Sequence, residues 1–129
     1  NVSLAANPEL QRASPLEVFD ATVSALTSAG VMVVLNNHVS SSGWCCSLTD
    51  GEGLWYTRTY AEDSWLRGIR LVAERYRDDP LVVGFDLRNE IRPSSLGTPT
   101  WGGGEDATDW SAAAVKGAEA VLDGNGDLL

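Results

Sequence analysis

The run Leu81-Val82-Val83-Gly84-Phe85-Asp86-Leu87-Arg88 narrows the choice of fold more than any other stretch. Side chains alternate between the faces of a strand, so Leu81, Val83, Phe85 and Leu87 make one apolar face. The other face passes from Val82 and Gly84 to Asp86 and Arg88. A parallel strand covered by helices on both sides is apolar throughout. A closed barrel keeps its helices outside and lets its lumen turn polar near the top. The pattern therefore favours a (β/α)8 barrel over a doubly wound sheet.

The remaining segments agree with that class. Ser14-Pro15-Leu16-Glu17 reads as a helix start, with Ser14 as N-cap, Pro15 at the first helical position and Glu17 closing a capping box. The helix is expected over 15–29, with Leu16, Phe19, Val23 and Leu26 on one apolar stripe and Gly30 as its left-handed stop. Residues 31–36 form a continuous apolar strand. A polar, aromatic-rich loop over 37–60 follows, and loops of that length are usually functional. Thr59 and Glu62 make a second capping-box pair ahead of a helix to about 77, with Trp65, Ile69, Val72 and Tyr76 on one face. After the strand at 81–88 and a loop over 91–109, a third helix is expected over 110–122, with Ala114, Gly117, Ala118 and Val121 inward. Helix, strand, helix, strand, helix is the alternation of βαβ units and a parallel sheet.

Nine Lys plus Arg against eighteen Asp plus Glu give a net charge of -9, which repels phosphate backbones and makes nucleic acid a poor partner. No apolar run approaches the roughly 20 residues of a membrane span. The chain starts Asn1-Val2-Ser3 and ends in Leu128-Leu129, where an apolar strand would begin after a turn cluster. These ends lead us to expect a piece of something longer.

In a parallel α/β fold, function gathers at the carboxyl ends of the strands. Here one strand ends in Asn36-Asn37-His38 and the next in Arg88-Asn89-Glu90. Neighbouring parallel strands lie about 4.8 Å apart, so both ends can share one cleft. An acid, an amide and an imidazole beneath Trp and Tyr side chains suit a neutral polyhydroxylated ligand, whose hydroxyls need hydrogen bonds and whose C–H faces stack on rings.

Several words carry a resemblance: Val31-Met32-Val33-Val34-Leu35-Asn36-Asn37-His38-Val39-Ser40, Gly43-Trp44-Cys45-Cys46-Ser47, Asp50-Gly51-Glu52-Gly53-Leu54-Trp55, and Val82 through Arg92 with its Asn89-Glu90. Together with Lys116-Gly117-Ala118-Glu119-Ala120-Val121 they resemble glycoside hydrolase family 5, the cellulase family, in its plant and fungal branch. The resemblance covers the chain from about Asn7 to its end. It implies a (β/α)8 barrel that hydrolyses β-glycosidic bonds in glucan or cellulose-type polysaccharide with retention, using two Glu residues. Glu90 looks like the fourth-strand general acid/base. Asn89 resembles the neighbour that binds the 2-hydroxyl of the sugar, and His38 the third-strand histidine lining the same subsite. Ile91 stands where many branches write Pro, as an aliphatic residue does in the plant-like branch. A barrel takes about 250 residues, so the 129 residues amount to roughly half of one catalytic domain, strands 3 and 4 with their flanking helices. The nucleophile Glu belongs to a strand outside them, and the chain alone is expected to be inactive. The resemblance implies no metal or organic cofactor, because a carboxyl pair carries the reaction, and it implies secretion.

Other readings stand beside this one. Glu90 as an ordinary strand-end carboxylate would pair with Arg88 or Arg92. Trp44, Trp55 and Trp101 either touch sugar or pin long loops to the barrel rim. Trp65 and Trp110 are expected in the core. Asp86 and Arg88 are expected to form a buried ion pair supporting the site. Cys45 and Cys46, adjacent and without a second pair, make a poor zinc site. A vicinal disulfide, bonds to cysteines elsewhere, or two reduced thiols all remain open for them, and secretion favours oxidation. The alternatives for the whole are a carbohydrate-binding barrel that has lost its second Glu, and a half-barrel without independent function.

Overall fold

A computed structural model describes residues 5–43, 45–103 and 106–129. Helix α1 (Pro15–Ser28) begins with the expected capping box, Glu17 N–H donating to Ser14 Oγ at 3.3 Å and Ser14 N–H to Glu17 Oε2 at 2.7 Å. Gly30 follows at φ 78° and turns the chain into strand β1 (Val33–Asn36). Helix α2 (Glu62–Arg75) leads to strand β2 (Val82–Asp86), and helix α3 (Trp110–Gly124) starts behind Asp109, whose carboxylate accepts from Ser111 N–H. That carboxyl is held down at about 2, chiefly by the Gly102 N–H and then by Ser111.

Strands β1 and β2 pair in parallel with α2 between them, which makes one βαβ unit. Val34 faces Gly84, Leu35 faces Phe85 and Asn36 faces Asp86. The ladder continues past the strand ends, through Asn37 N–H to Asp86 O at 3.1 Å and Asn89 N–H to Asn37 O at 3.1 Å. On the other side of β2, Leu129 N–H donates to Val83 O at 3.0 Å and Leu129 O accepts from Phe85 N–H at 2.9 Å. Leu129 thus pairs with the edge of β2 opposite β1. The face of β1 bearing Leu35 is buried, and that bearing Val34 and Asn36 is exposed together with Asp86. This is the one-sided arrangement of a barrel wall, helices against one face and a polar-ending lumen face on the other.

Four expectations need correction. Glu62 does not close a capping box with Thr59: α2 starts at Ala61 without a side-chain cap, and the Glu62 carboxylate accepts instead from Trp55 Nε1 at 2.7 Å and Lys116 Nζ at 2.7 Å. Of the α1 stripe only Val23 is buried, while Leu16, Phe19 and Leu26 stay about 40% exposed. Two strands about 4.8 Å apart are narrower than a helix of about 10 Å diameter, so this sheet cannot cover α1 beside α2. Helix α3 turns Gly117 and Val121 inward as expected, but Ala113 and Gly124 complete its buried face while Ala114 and Ala118 are half-buried. Asp86 and Arg88 do not pair with each other, since Asp86 binds Asn36 and Arg88 turns to Glu52.

Helices α2 and α3 approach closely through two glycines. A Cβ on Gly117 would lie 2.7 Å from Trp65 Cη2 and 3.3 Å from Leu87 Cδ1, and a Cβ on Gly124 2.6 Å from Arg70 O. Trp65 cannot swing away, because it is buried and its Nε1–H donates to Leu87 O at 3.0 Å. Gly117→Ala gains up to about 1 kcal/mol of helix propensity but overpacks the contact by about 1–3 kcal/mol. The expected net result is a lower midpoint in chemical denaturation; a raised midpoint would contradict the close approach. At the far end of α2, Asp20 on α1 accepts from Arg75 Nε and from Tyr76 Oη, each at 2.6 Å, and these bonds hold its carboxyl at about 2.

Candidate active site

The carboxyl ends of β1 and β2 meet at a rim where three of the expected groups come together. Asn36 Nδ2 donates to Asp86 Oδ2, which turns Asn36 Oδ1 toward His38 Nδ1, 3.1 Å away. An acceptor oxygen there requires the His38 proton on Nδ1, so Nε2 of the neutral ring carries the lone pair. That Nε2 lies 3.5 Å from Cys45 Sγ. Asn89, half-buried beside it, points Nδ2 at both sulfurs, 3.7 Å from Cys45 Sγ and 3.6 Å from Cys46 Sγ. Cys45 and Cys46 are joined in a vicinal disulfide, the first of the three states the sequence leaves open. His38, Cys45 and Cys46 converge within 4.8 Å, but disulfide sulfurs have no thiolate to offer a metal.

Glu90 closes this rim in the left-handed region, at φ 44°, the only positive φ of a non-glycine among the described residues. Such a conformation costs about 1–3 kcal/mol in a residue with a Cβ and collects at functional sites. The side chain is exposed, and its carboxylate has no hydrogen-bond or ion-pair partner among the described residues. Both arginines that an ordinary structural carboxylate would use are engaged elsewhere. Arg92 binds the Asp50 carboxylate through Nη2 at 2.7 and 2.8 Å and reaches Glu90 only at its backbone oxygen, 2.9 Å away. Arg88 is 4% exposed and turns into the loop over 37–61.

The Arg88 contacts overturn the expected Asp86–Arg88 pair. Asp86 is exposed and bonded to Asn36, whereas Arg88 Nη2 donates to Glu52 Oε2 at 2.8 Å and Glu52 O at 3.0 Å. Arg88 lies beyond the end of β2, so the alternation that put it on the Asp86 face no longer applies. Its Nη1 donates to Asn37 Oδ1 and Ser40 Oγ, both at 3.2 Å. Glu52 also accepts from Ser40 N–H at 2.8 Å and Ser41 N–H at 3.1 Å. Burial works to raise the Glu52 carboxyl, but the bonds from Ser40, Arg88 and Ser41 outweigh it and the net shift is downward. Glu52 is the residue that sequence reasoning missed. Its signal was available: a buried arginine needs a carboxylate, and the loop offers Asp50 and Glu52.

The aromatic candidates separate. Trp55 is 0% exposed, with Trp110 at 5.5 Å and Trp65 at 6.4 Å between ring centres, so it pins the loop and presents no face to a ligand. Trp65 is buried and Trp110 half-buried, as expected. Trp101 is 75% exposed. Trp44 lies outside the described residues.

A parallel βα segment whose strand ends carry an imidazole, an amide and a carboxylate unpaired among the described residues is what a piece of an α/β barrel presents. The profile of the family described as cellulase (glycosyl hydrolase family 5) matches residues 2–129, and the chain belongs to that family. It is 37% identical to the major extracellular endoglucanase of Xanthomonas campestris pv. campestris over 95% of this chain and 23% of that protein. It is 38% identical to a glycosyl hydrolase 5 family protein of Chamaecyparis obtusa over 87% of this chain and 20% of that one. The catalytic domain of the Xanthomonas enzyme superposes with a TM-score of 0.80 at 35% identity, over 99% of this chain and 34% of that chain. The endocellulase of Pyrococcus horikoshii in complex with cellotetraose gives 0.81 at 28% identity, over 100% of this chain and 35% of that chain. This chain therefore spans about a third of those solved domains, less than the half expected from a barrel of about 250 residues, and the expected class, a partial (β/α)8 barrel, stands.

Proposed function

We propose that residues 1–129 are part of the catalytic domain of a retaining β-glycosidase that cleaves β-glucan or cellulose-type chains, with Glu90 as its general acid/base. The observation that carries this reading is the state of Glu90. It is an exposed carboxylate, unpaired among the described residues, on strained backbone next to Asn89, with the two nearby arginines committed elsewhere. In the first step the protonated Glu90 carboxyl gives its proton to the glycosidic oxygen as a nucleophilic carboxylate attacks the anomeric carbon and the C–O bond breaks. In the second, Glu90 takes a proton from water as that water releases the sugar. Such a pair stands about 5–5.5 Å apart. Asp50 and Glu52 are tied to Arg92 and Arg88, and the family resemblance implies a nucleophile on a strand outside these residues.

In this reading Asn89 binds the 2-hydroxyl of the sugar at the cleavage point, His38 Nε2 accepts from a neighbouring hydroxyl, and Trp101 offers a stacking face. Trp44 keeps its candidacy for sugar contact. Arg88 supports the site through Glu52 and Asn37, and Asp86 through Asn36 and His38. The substrate class is supported by relatives named endoglucanase and by the cellotetraose complex of the Pyrococcus enzyme. Secretion is proposed from the extracellular Xanthomonas relative. No helix of the described residues is long and apolar enough to cross a membrane.

The test is incubation of cellotetraose with the full-length protein that carries this segment. Shorter oligosaccharides with the β configuration in the first-formed product are expected. Binding without cleavage would replace the reading with a carbohydrate-binding barrel, and neither binding nor cleavage would remove the glycan from it.

A further inference from the structure

We infer that the Cys45–Cys46 disulfide is a working part of the sugar subsite, a positioning group that acts through Asn89 and His38; this rests on the function proposed above. Both sulfurs face the two groups that would bind the sugar. Asn89 Nδ2 lies 3.7 and 3.6 Å from them, and His38 Nε2 lies 3.5 Å from Cys45 Sγ. Both cysteines are half-buried, so the pair belongs to the wall of the rim and not to the core.

The chemistry of a disulfide suits that place. It has no proton to donate and accepts only weakly, so it orients the Asn89 amide through a soft contact without consuming Asn89 Oδ1. It likewise leaves the His38 Nε2 lone pair without a competing donor. Thiols in the same positions behave differently. A Cys45 S–H would donate to Nε2, and a thiolate formed there would draw in both the imidazole N–H and the Asn89 amide. The His38 Nε2 lone pair, open for a hydroxyl in the oxidised site, would then have a protein partner, and the Asn89 amide would be held by a strong acceptor in place of a weak one.

The reduction that would produce this state balances with a dithiol as the named co-reactant. The disulfide takes two electrons and two protons to give two thiols, and the dithiol is released as its own cyclic disulfide. The site is therefore active in the oxidised form and impaired in the reduced one, a property suited to a protein that works outside the cell.

The experiment uses the full-length protein and cellotetraose, with wild type, Cys45→Ala/Cys46→Ala, Asn89→Ala and the triple variant assayed for kcat and KM. Wild-type turnover is the entry condition; its absence overturns the function proposed above and is seen before any cysteine is changed. Given turnover, removing the disulfide is expected to lower kcat about ten-fold or more, as loss of a group that orients a ligand-binding side chain does. In the Asn89→Ala background the same change is expected to cost clearly less than in wild type, the remainder acting through His38, because residues acting as one unit are not additive. Dithiothreitol should lower the wild-type rate reversibly and lower that of Asn89→Ala less, through His38 alone, a readout independent of whether the Cys45→Ala/Cys46→Ala variant folds. Equal losses in both backgrounds, or a fall in thermal stability with kcat unchanged, overturn the inference.

Discussion

Glu90→Gln in the full-length protein is expected to lower the rate on cellotetraose by about 10²–10⁴-fold, the range that a general acid/base contributes. The size alone would not separate this role from others, but the leaving group does. A sugar alkoxide cannot depart without a proton, whereas dinitrophenolate can. With a dinitrophenyl β-cellobioside the first step should therefore survive in Glu90→Gln, giving a stoichiometric burst of phenol. A slow steady state should follow, because water then lacks its base. A loss of equal size on both substrates would assign Glu90 to something other than proton transfer. Since its carboxylate has no partner among the described residues, no comparable loss of stability is expected.

Glu52→Ala is expected to act on stability, by about 3–5 kcal/mol, the cost of removing one member of a buried ion pair. Arg88, 4% exposed, would keep only neutral acceptors, and the N–H groups of Ser40 and Ser41 would lose theirs. Glu52→Gln keeps the shape but not the charge and should fall between. The pH dependence follows from the lowered native pKa of Glu52. Its contribution is complete above its ordinary value of 4.5 and is lost as pH falls through the lower native value, so the gap to Glu52→Gln closes on acidification. Urea unfolding at neutral pH checks this; a difference below about 1 kcal/mol between wild type and Glu52→Ala would mean that the pair does not hold the loop.

Local chemistry was legible in the chain. Ser14, Pro15, Glu17 and Gly30 act within a few residues of one another, and the helix they bound stands as expected. The change from apolar to polar along the strand up to Asp86 foretold a wall with one helix-covered face, and the shared strand ends bring His38 and Asn89 to the same sulfurs. What misled were carboxylates whose partners lie far away in sequence. Glu62 was given to Thr59, three residues before it, but its partners are Trp55 and Lys116. Arg88 was given to Asp86, two residues before it, but its partner Glu52 is 36 residues distant. In both cases a nearby residue of the right type satisfied a local rule, and tertiary geometry offered a better acceptor or donor. Trp55 failed for a related reason: a loop position says nothing of depth, and only the cluster with Trp65 and Trp110 shows that its ring is spent on anchoring.

The most direct test of the central claim is the configuration of the product that Glu90→Ala forms from a dinitrophenyl β-cellobioside in the presence of azide. If Glu90 is the acid/base of a retaining pair, the glycosyl-enzyme still forms on the other carboxylate. Azide then enters the space left by the Glu90 side chain and attacks from the β face. The account predicts a faster steady state and a β-glycosyl azide identified by its anomeric proton coupling. An α-glycosyl azide would make Glu90 the nucleophile, and no effect of azide would remove it from the reaction altogether.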